Sequence, residues 1–154
     1  MDKNAFEQMV MDELPGLYRI AQGILRHPAD AQDAVQQAVL KAWERLGTIR
    51  PGTGKAYLTR IVINQCRDIQ RARRRVVPSD VIPDRAEPPS RLMELREAVD
   101  RLPEKLRIPF LLVYMEGHST RDAADIAGIT EFALKSRLKR ARKKLQLALG
   151  EEDT

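Results

Sequence analysis

The sequence predicts an all-α protein made of two small helical domains joined by a proline-rich linker. Three observations carry that expectation. Apolar residues recur at three- and four-residue steps almost throughout, and no run alternates with the period of two that a strand requires. The helical periodicity lapses over Val76–Ser90 (VVPSDVIPDRAEPPS), where four prolines leave no apolar stripe. Beyond that lapse, STRDAADIAGITEFALKSRLKRARKKL (Ser119–Leu145) has the order of a helix-turn-helix whose second helix is dense with positive charge.

Each element follows from the same reasoning. Leu17, Ile20, Ala21, Ile24 and Leu25 make the stripe of a first helix that stops before Pro28. Asp30 can cap a second helix, with Val35, Ala38, Val39, Ala42, Trp43 and Leu46 facing inward. Gly47, Pro51, Gly52 and Gly54 mark a loop. A third helix follows, with Leu58, Ile61, Val62, Cys66 and Ile69 inward, and runs out into Arg71, Arg73, Arg74 and Arg75. Three amphipathic helices can close one small core, so residues 1–75 form the first domain. Residues 76–90 are the linker, which fully stretched would reach on the order of 50 Å.

Residues 91–148 form the second domain, followed by a short tail over 149–154. Ser90 caps a helix with Leu92, Leu95, Val99 and Leu102 inward. Pro103 opens another, containing Leu106, Phe110, Leu111 and Tyr114 and ending near Gly117, with a kink or late start expected at Pro109. Ser119 with Asp122 reads as a capping-box start, Ala123, Ala124 and Ile126 as a short packed helix, and Gly128 as its left-handed stop. Ile129 plugs the turn and Thr130 caps the last helix, where Leu134, Leu138, Ala141 and Leu145 form one apolar stripe. Lys135, Arg137, Lys139, Arg140, Arg142, Lys143 and Lys144 occupy the rest of that helix, a distribution that matches the phosphates of DNA.

Composition narrows the function classes. A net charge of +5 over 154 residues favours a polyanionic partner, and 5% aromatics is low for a protein that stacks single-stranded bases. The lone Cys66 permits no disulfide framework or cysteine zinc site and reads as core packing. His27 and His118 lie far apart with no ligand-like neighbours, so no metal site is expected. There is no nucleophile–base pair and no phosphate-cradling glycine loop, so neither an enzyme nor a cofactor is expected. No apolar run is long enough for a bilayer, and Met1–Glu13 carries acids rather than a signal-peptide pattern; membrane insertion is not expected, and the cytoplasm is the expected compartment.

Two further faces stand out in the first domain. Arg60, Asn64, Arg67, Asp68 and Arg71 recur at three- and four-residue steps and so share a helix face, in which Asn64 could bond base edges while the arginines position phosphates. A solvated row of charge explains the same pattern. Asp33, Gln36, Gln37, Lys41 and Glu44 give a polar stripe on the preceding helix, directed away from Trp43.

In this order, with LYRIAQGIL, DAQDAVQQAVLKAW and YLTRIVINQCRDIQRARRR before the linker and LREAVDRLPEKLRIPFLLVYMEGHS with the helix-turn-helix after it, the chain resembles the extracytoplasmic-function sigma factors of bacterial RNA polymerase. The resemblance runs from about Leu14 to Leu147. It implies a sigma region 2 helical bundle, a sigma region 4 helix-turn-helix, and promoter recognition by binding rather than covalent chemistry. Core RNA polymerase would dock on Asp33, Gln36 and Gln37. The face of Arg60, Asn64, Arg67, Asp68 and Arg71 would capture and melt the −10 element of promoter DNA. The last helix would read the −35 element, with Glu131, Phe132, Lys135, Ser136 and Lys139 near base edges and Arg137, Arg140 and Lys143 on phosphates. An anti-sigma factor is the further partner the resemblance implies. The chain departs from the family pattern at Gln32 and Gln37, where acids are usual, and these keep open a second reading: a sigma-like helix-turn-helix regulator that does not engage core polymerase.

Overall fold

A computed structural model of the chain describes residues 1–50, 52–76 and 90–150, with side chains through residue 73 in the first of its helical bundles. Most of the proline-rich linker falls outside the described residues. All regular elements among the described residues are helical. Two compact units divide the chain, the first over Met1–Val77 and the second over the rest, apart from the short helix-end segment Asp125–Gly128.

The first unit is three helices packed pairwise: α1 (Lys3–Leu25), α2 (Pro28–Glu44) and α3 (Gly54–Val76). Asp2 caps α1 by accepting the Ala5 N–H at 2.7 Å, so the helix starts well before its apolar stripe and runs through Pro15. Pro15 is exposed, and the carbonyl it leaves without a helical partner belongs to Met11, on the water side. Arg26 ends α1 in the left-handed region (φ 60), with its N–H on the Gln22 carbonyl at 2.8 Å. His27 is then extended, as the residue before a proline must be, and Pro28 occupies the first turn of α2. Pro28 therefore replaces the expected capping by Asp30, whose carboxylate pairs with Arg73 instead.

The core of this unit is Leu17, Ile20, Ala21, Ile24 and Leu25 from α1 with Leu58, Val62, Ile63 and Cys66 from α3. Between them, α2 offers Ala31, Ala34, Ala38 and Ala42, all without solvent exposure, so it approaches both neighbours closely. Trp43 departs from the inward expectation: it remains 38% exposed, resting on Phe6 with ring centroids 5.6 Å apart. With alanine on either side of its stripe, α2 sits too close to its neighbours for an indole to enter. Gly54 opens α3 rather than lying in the loop before it, and a Cβ there would collide with the sulfur of Met9.

The second unit holds α4 (Arg91–Asp100), α5 (Glu104–Phe110), α6 (Thr120–Ala127) and α7 (Glu131–Ala148). Ser90 caps α4 by accepting the Met93 N–H at 3.2 Å. Packed against α7, α4 buries only Ala98 and Val99; Leu92 and Leu95, expected inward, are 74% and 36% exposed. Past Pro109, α5 widens into a π turn over Leu111–Met115 instead of kinking. Pro109 has no N–H for the Lys105 carbonyl, and the ladder resumes one residue wider, with Glu116 N–H on Leu111 O at 3.0 Å. The extra residue turns Tyr114, another inward expectation, to the surface. Gly128 ends α6 at φ +73, and the Ile129 N–H then reaches back to the Ala124 carbonyl at 3.0 Å.

Arg107 holds the α4–α5 corner. Its buried guanidinium donates to the carbonyls of Asp100 (3.1 Å) and Leu102 (3.0 Å). Arg107→Ala strands both carbonyls and is expected to cost about 2–4 kcal/mol. Amide-exchange protection across α4 and α5 should fall accordingly, with Arg107→Lys intermediate because Nη1 alone serves both carbonyls and an ammonium on a shorter stem reaches them less well. Unchanged protection in both variants would rule out the corner as a stabilising contact.

Candidate nucleic-acid interface

On α7 the buried residues are Leu134, Leu138, Ala141 and Leu145. At 3.6 residues per turn, the row farthest from that stripe is Phe132, Ser136, Lys139 and Lys143, with Arg140 beside it, and all five are exposed. Arg137 lies on the flank and is half-buried. Thus the residues expected on the last helix fall on an outer row with basic flanks, a geometry suited to a helix lying in a major groove.

Glu131 is different. Its Oε1 accepts the Thr120 hydroxyl at 2.9 Å and lies 3.5 Å from Lys135 Nζ, so its carboxylate links the start of α6 to the start of α7. The Thr120 hydrogen bond, then the Lys135 charge, hold the Glu131 carboxyl below the usual glutamate range. Thr120 was not foreseen in the sequence, because it lies eleven residues from Glu131 and only the turn brings them together. Thr130 caps α7 as expected, accepting the Ala133 N–H at 3.1 Å. Arg142, on the other flank, donates to the Tyr114 hydroxyl at 2.6 Å, a contact that the π turn makes possible.

In the first unit, α3 presents Arg60, Asn64, Asp68 and Arg71 to solvent, with Arg67 half-buried on the same face. Asp68 pairs with Arg71, so one acid of the row is already neutralised within it. The loop leading into α3 is braced by Thr53, whose N–H and hydroxyl both donate to the Arg50 carbonyl (3.2 and 2.8 Å). Ile49 in this loop is buried and makes core rather than surface.

Asp33, Gln36 and Gln37 are all exposed on α2. The same face continues, four and seven residues beyond Gln36, into Leu40 (60% exposed) and Trp43. These two line an apolar cleft of ≈ 510 Å³ with Phe6, Val10, Met11 and Val39. Lys3 Nζ lies over the Trp43 ring, 5.5 Å from its centre. Leu40 and Trp43 were missed as surface residues, and the polar stripe runs towards Trp43 rather than away from it; their four- and seven-residue offsets from Gln36 were a usable signal.

Comparison with known proteins adds a further finding. The chain matches Sigma-70 region 2 over residues 9–76 and Sigma-70 region 4 over residues 92–145. It is 35% identical to the ECF RNA polymerase sigma factor SigM of Mycobacterium tuberculosis, covering 97% of this chain and 79% of that protein. It is 33% identical to the ECF RNA polymerase sigma factor EcfG of Rhodopseudomonas palustris, covering 94% and 86%. Among solved structures it is similar to the sigma factor RpoE of Bartonella quintana, crystallised with the anti-sigma factor NepR: TM-score 0.80, 28% identity, 97% of this chain and 99% of that one.

The Glu131 contacts set a pH dependence. A carboxyl whose folded value is depressed contributes its stabilisation fully above the ordinary glutamate range and loses it as pH falls through the folded value. An NMR carboxyl titration should therefore give Glu131 a midpoint below that of an ordinary glutamate, moving upward in Thr120→Val. A midpoint indifferent to that substitution would rule out the link between the two helices.

Proposed function

The chain belongs to the extracytoplasmic-function sigma factors of RNA polymerase, and on that premise we propose how its surfaces divide the work of promoter recognition. It is a transcription-initiation factor that acts by binding. Polymerase supplies the chemistry, and no catalytic role is assigned to this chain. Its place of action is the cytoplasm, with the polymerase; among the described residues no helix is long and apolar enough to cross a membrane.

The region 2 unit, residues 1–75, docks on core polymerase through Asp33, Gln36 and Gln37 on α2. The half-exposed Leu40 and Trp43 extend that surface with apolar area, which compensates for glutamine at position 37 by adding contact where charge is lacking. The α3 face of Arg60, Asn64, Arg67, Asp68 and Arg71 takes the −10 element, the arginines on phosphates and Asn64 on a base edge. Trapping unpaired bases there opposes an unstacking cost of a few kcal/mol per base.

The region 4 unit, residues 91–148, reads the −35 element. The observation that carries this assignment is the outer row of α7, where Phe132, Ser136, Lys139 and Lys143 stand opposite the buried stripe. Phe132, Ser136 and Lys139 face base edges, and Arg137, Arg140 and Lys143 meet phosphates. Glu131 and Lys135, bound to each other, serve chiefly to fix the start of the helix. An anti-sigma factor is the regulatory partner, as NepR is of the structurally similar RpoE.

Transcription in vitro with core polymerase and a genomic fragment library tests the whole assignment. New start sites with two spaced upstream elements are expected only when the protein is present. Lys139→Ala should lower initiation severalfold through −35 recognition while leaving core affinity unchanged. Asp33→Ala with Gln36→Ala should do the reverse. Salt-sensitive DNA binding without core-dependent transcripts would instead establish a sigma-like regulator.

A further inference from the structure

We propose that Phe132 is a specificity-determining residue that reads the C5-methyl group of one thymine in the −35 element, an inference that rests on α7 being the −35 reader. Among the described residues Phe132 is the most exposed large hydrophobic side chain, at 85%. A lone exposed apolar residue is ordinary on a protein surface, so exposure alone means little. Its position gives the exposure meaning. Phe132 stands in the first turn of α7, in the outer row with Ser136 and Lys139, where a helix entering a major groove brings its N-terminal residues to base edges.

The neighbouring groups sharpen the assignment. Glu131 could accept from a cytosine amino group, but its Oε1 accepts from Thr120 and lies beside Lys135, which draws the carboxylate back towards the start of α6 and away from the outer row. Lys135 is drawn towards Glu131 in turn, 3.5 Å away. The outer row at the tip of the helix therefore begins with an aromatic ring that has no donor and no acceptor. Such a ring cannot select among bases by hydrogen bonding. It can select by apolar contact, and in the major groove the one apolar substituent on any base pair is the methyl group of thymine. Burying a methyl-sized group against the ring is worth about fourfold in affinity (~0.8 kcal/mol).

Deoxyuridine, which lacks only that methyl, provides the test. The complex of this chain with core polymerase is bound to its promoter, with the −35 thymines on both strands replaced singly by deoxyuridine. Wild-type complex should lose about fourfold at one position and little at the others. Phe132→Ala should bind the unmodified promoter about fourfold more weakly, and the loss on deoxyuridine substitution should disappear. Placing 5-methylcytosine rather than cytosine at the sensitive position should recover part of the loss for wild type and none for Phe132→Ala. A merely structural role for the ring would not make binding depend on a DNA methyl group.

Equal affinity for thymine and deoxyuridine at every −35 position, or a −35 element without thymine on either strand, overturns the inference. In that event a continued loss of binding in Lys139→Ala leaves the −35 assignment standing. If Lys139→Ala binds normally as well, that assignment falls and the inference with it.

Discussion

The close approach of helices along alanine seams is the constraint on which the other features depend. In the first unit, Ala31, Ala34, Ala38 and Ala42 are all fully buried along one side of α2. In the second, Ala123 on α6 and Ala141 on α7 are likewise fully buried, α7 packing chiefly on α5. A seam without side-chain bulk lets short helices close a core while each buries only a narrow stripe. Most of the circumference of α2, α3 and α7 is then left for recognition. The same seam fixes what cannot go inside: an indole has no room there, so Trp43 becomes surface. Larger residues in such a seam typically cost about 1–3 kcal/mol through overpacking.

Charge is distributed to suit an anionic partner rather than the isolated fold. Lys135, Lys139 and Lys143 follow at four-residue steps, and like-charge pairs at that spacing oppose helix formation by about 0.2–0.5 kcal/mol each. The acid of α7's first turn, Glu131, partly offsets this at the positive end of the helix dipole and beside Lys135. Further along, Arg142 is held by a neutral hydroxyl, Tyr114, which positions its guanidinium and leaves its charge intact. On α3, by contrast, Asp68 and Asp30 pair with Arg71 and Arg73. The two basic faces therefore differ: α7 carries an open field of charge, and α3 a row in which arginines are fixed by acids. The open charge of α7 suits phosphate contact flanking its outer row, and a defined local geometry suits α3.

The apolar cleft between α1 and α2 connects packing to function in another way. Phe6, Val10, Met11, Val39, Leu40 and Trp43 surround it, beside Asp33, Gln36 and Gln37. Polar groups at the edge of apolar area are the usual anatomy of a protein interface. The cleft exists because α1 begins at Lys3, well ahead of its strongest apolar stripe, and brings Phe6 against Trp43.

Period, caps and composition alone determined the all-α class, the stripes of α1 and α7, the Ser90 and Thr130 caps, and the stop at Gly128. These are local: each depends on residues within one or two turns, and helix geometry turns spacing directly into facing. The rows of α3 and α7 were legible for the same reason. What the sequence could not settle was whether an apolar face would be covered. Leu92 and Leu95 keep helical spacing yet stay in water, because α4 buries only its far end, and Tyr114 faces out because Pro109 shifts the ladder by one residue. Likewise nothing in the spacing put Thr120 beside Glu131; only the turn brings their side chains together. Burial and side-chain partnership are properties of pairs of elements, and only their packing in three dimensions decides them.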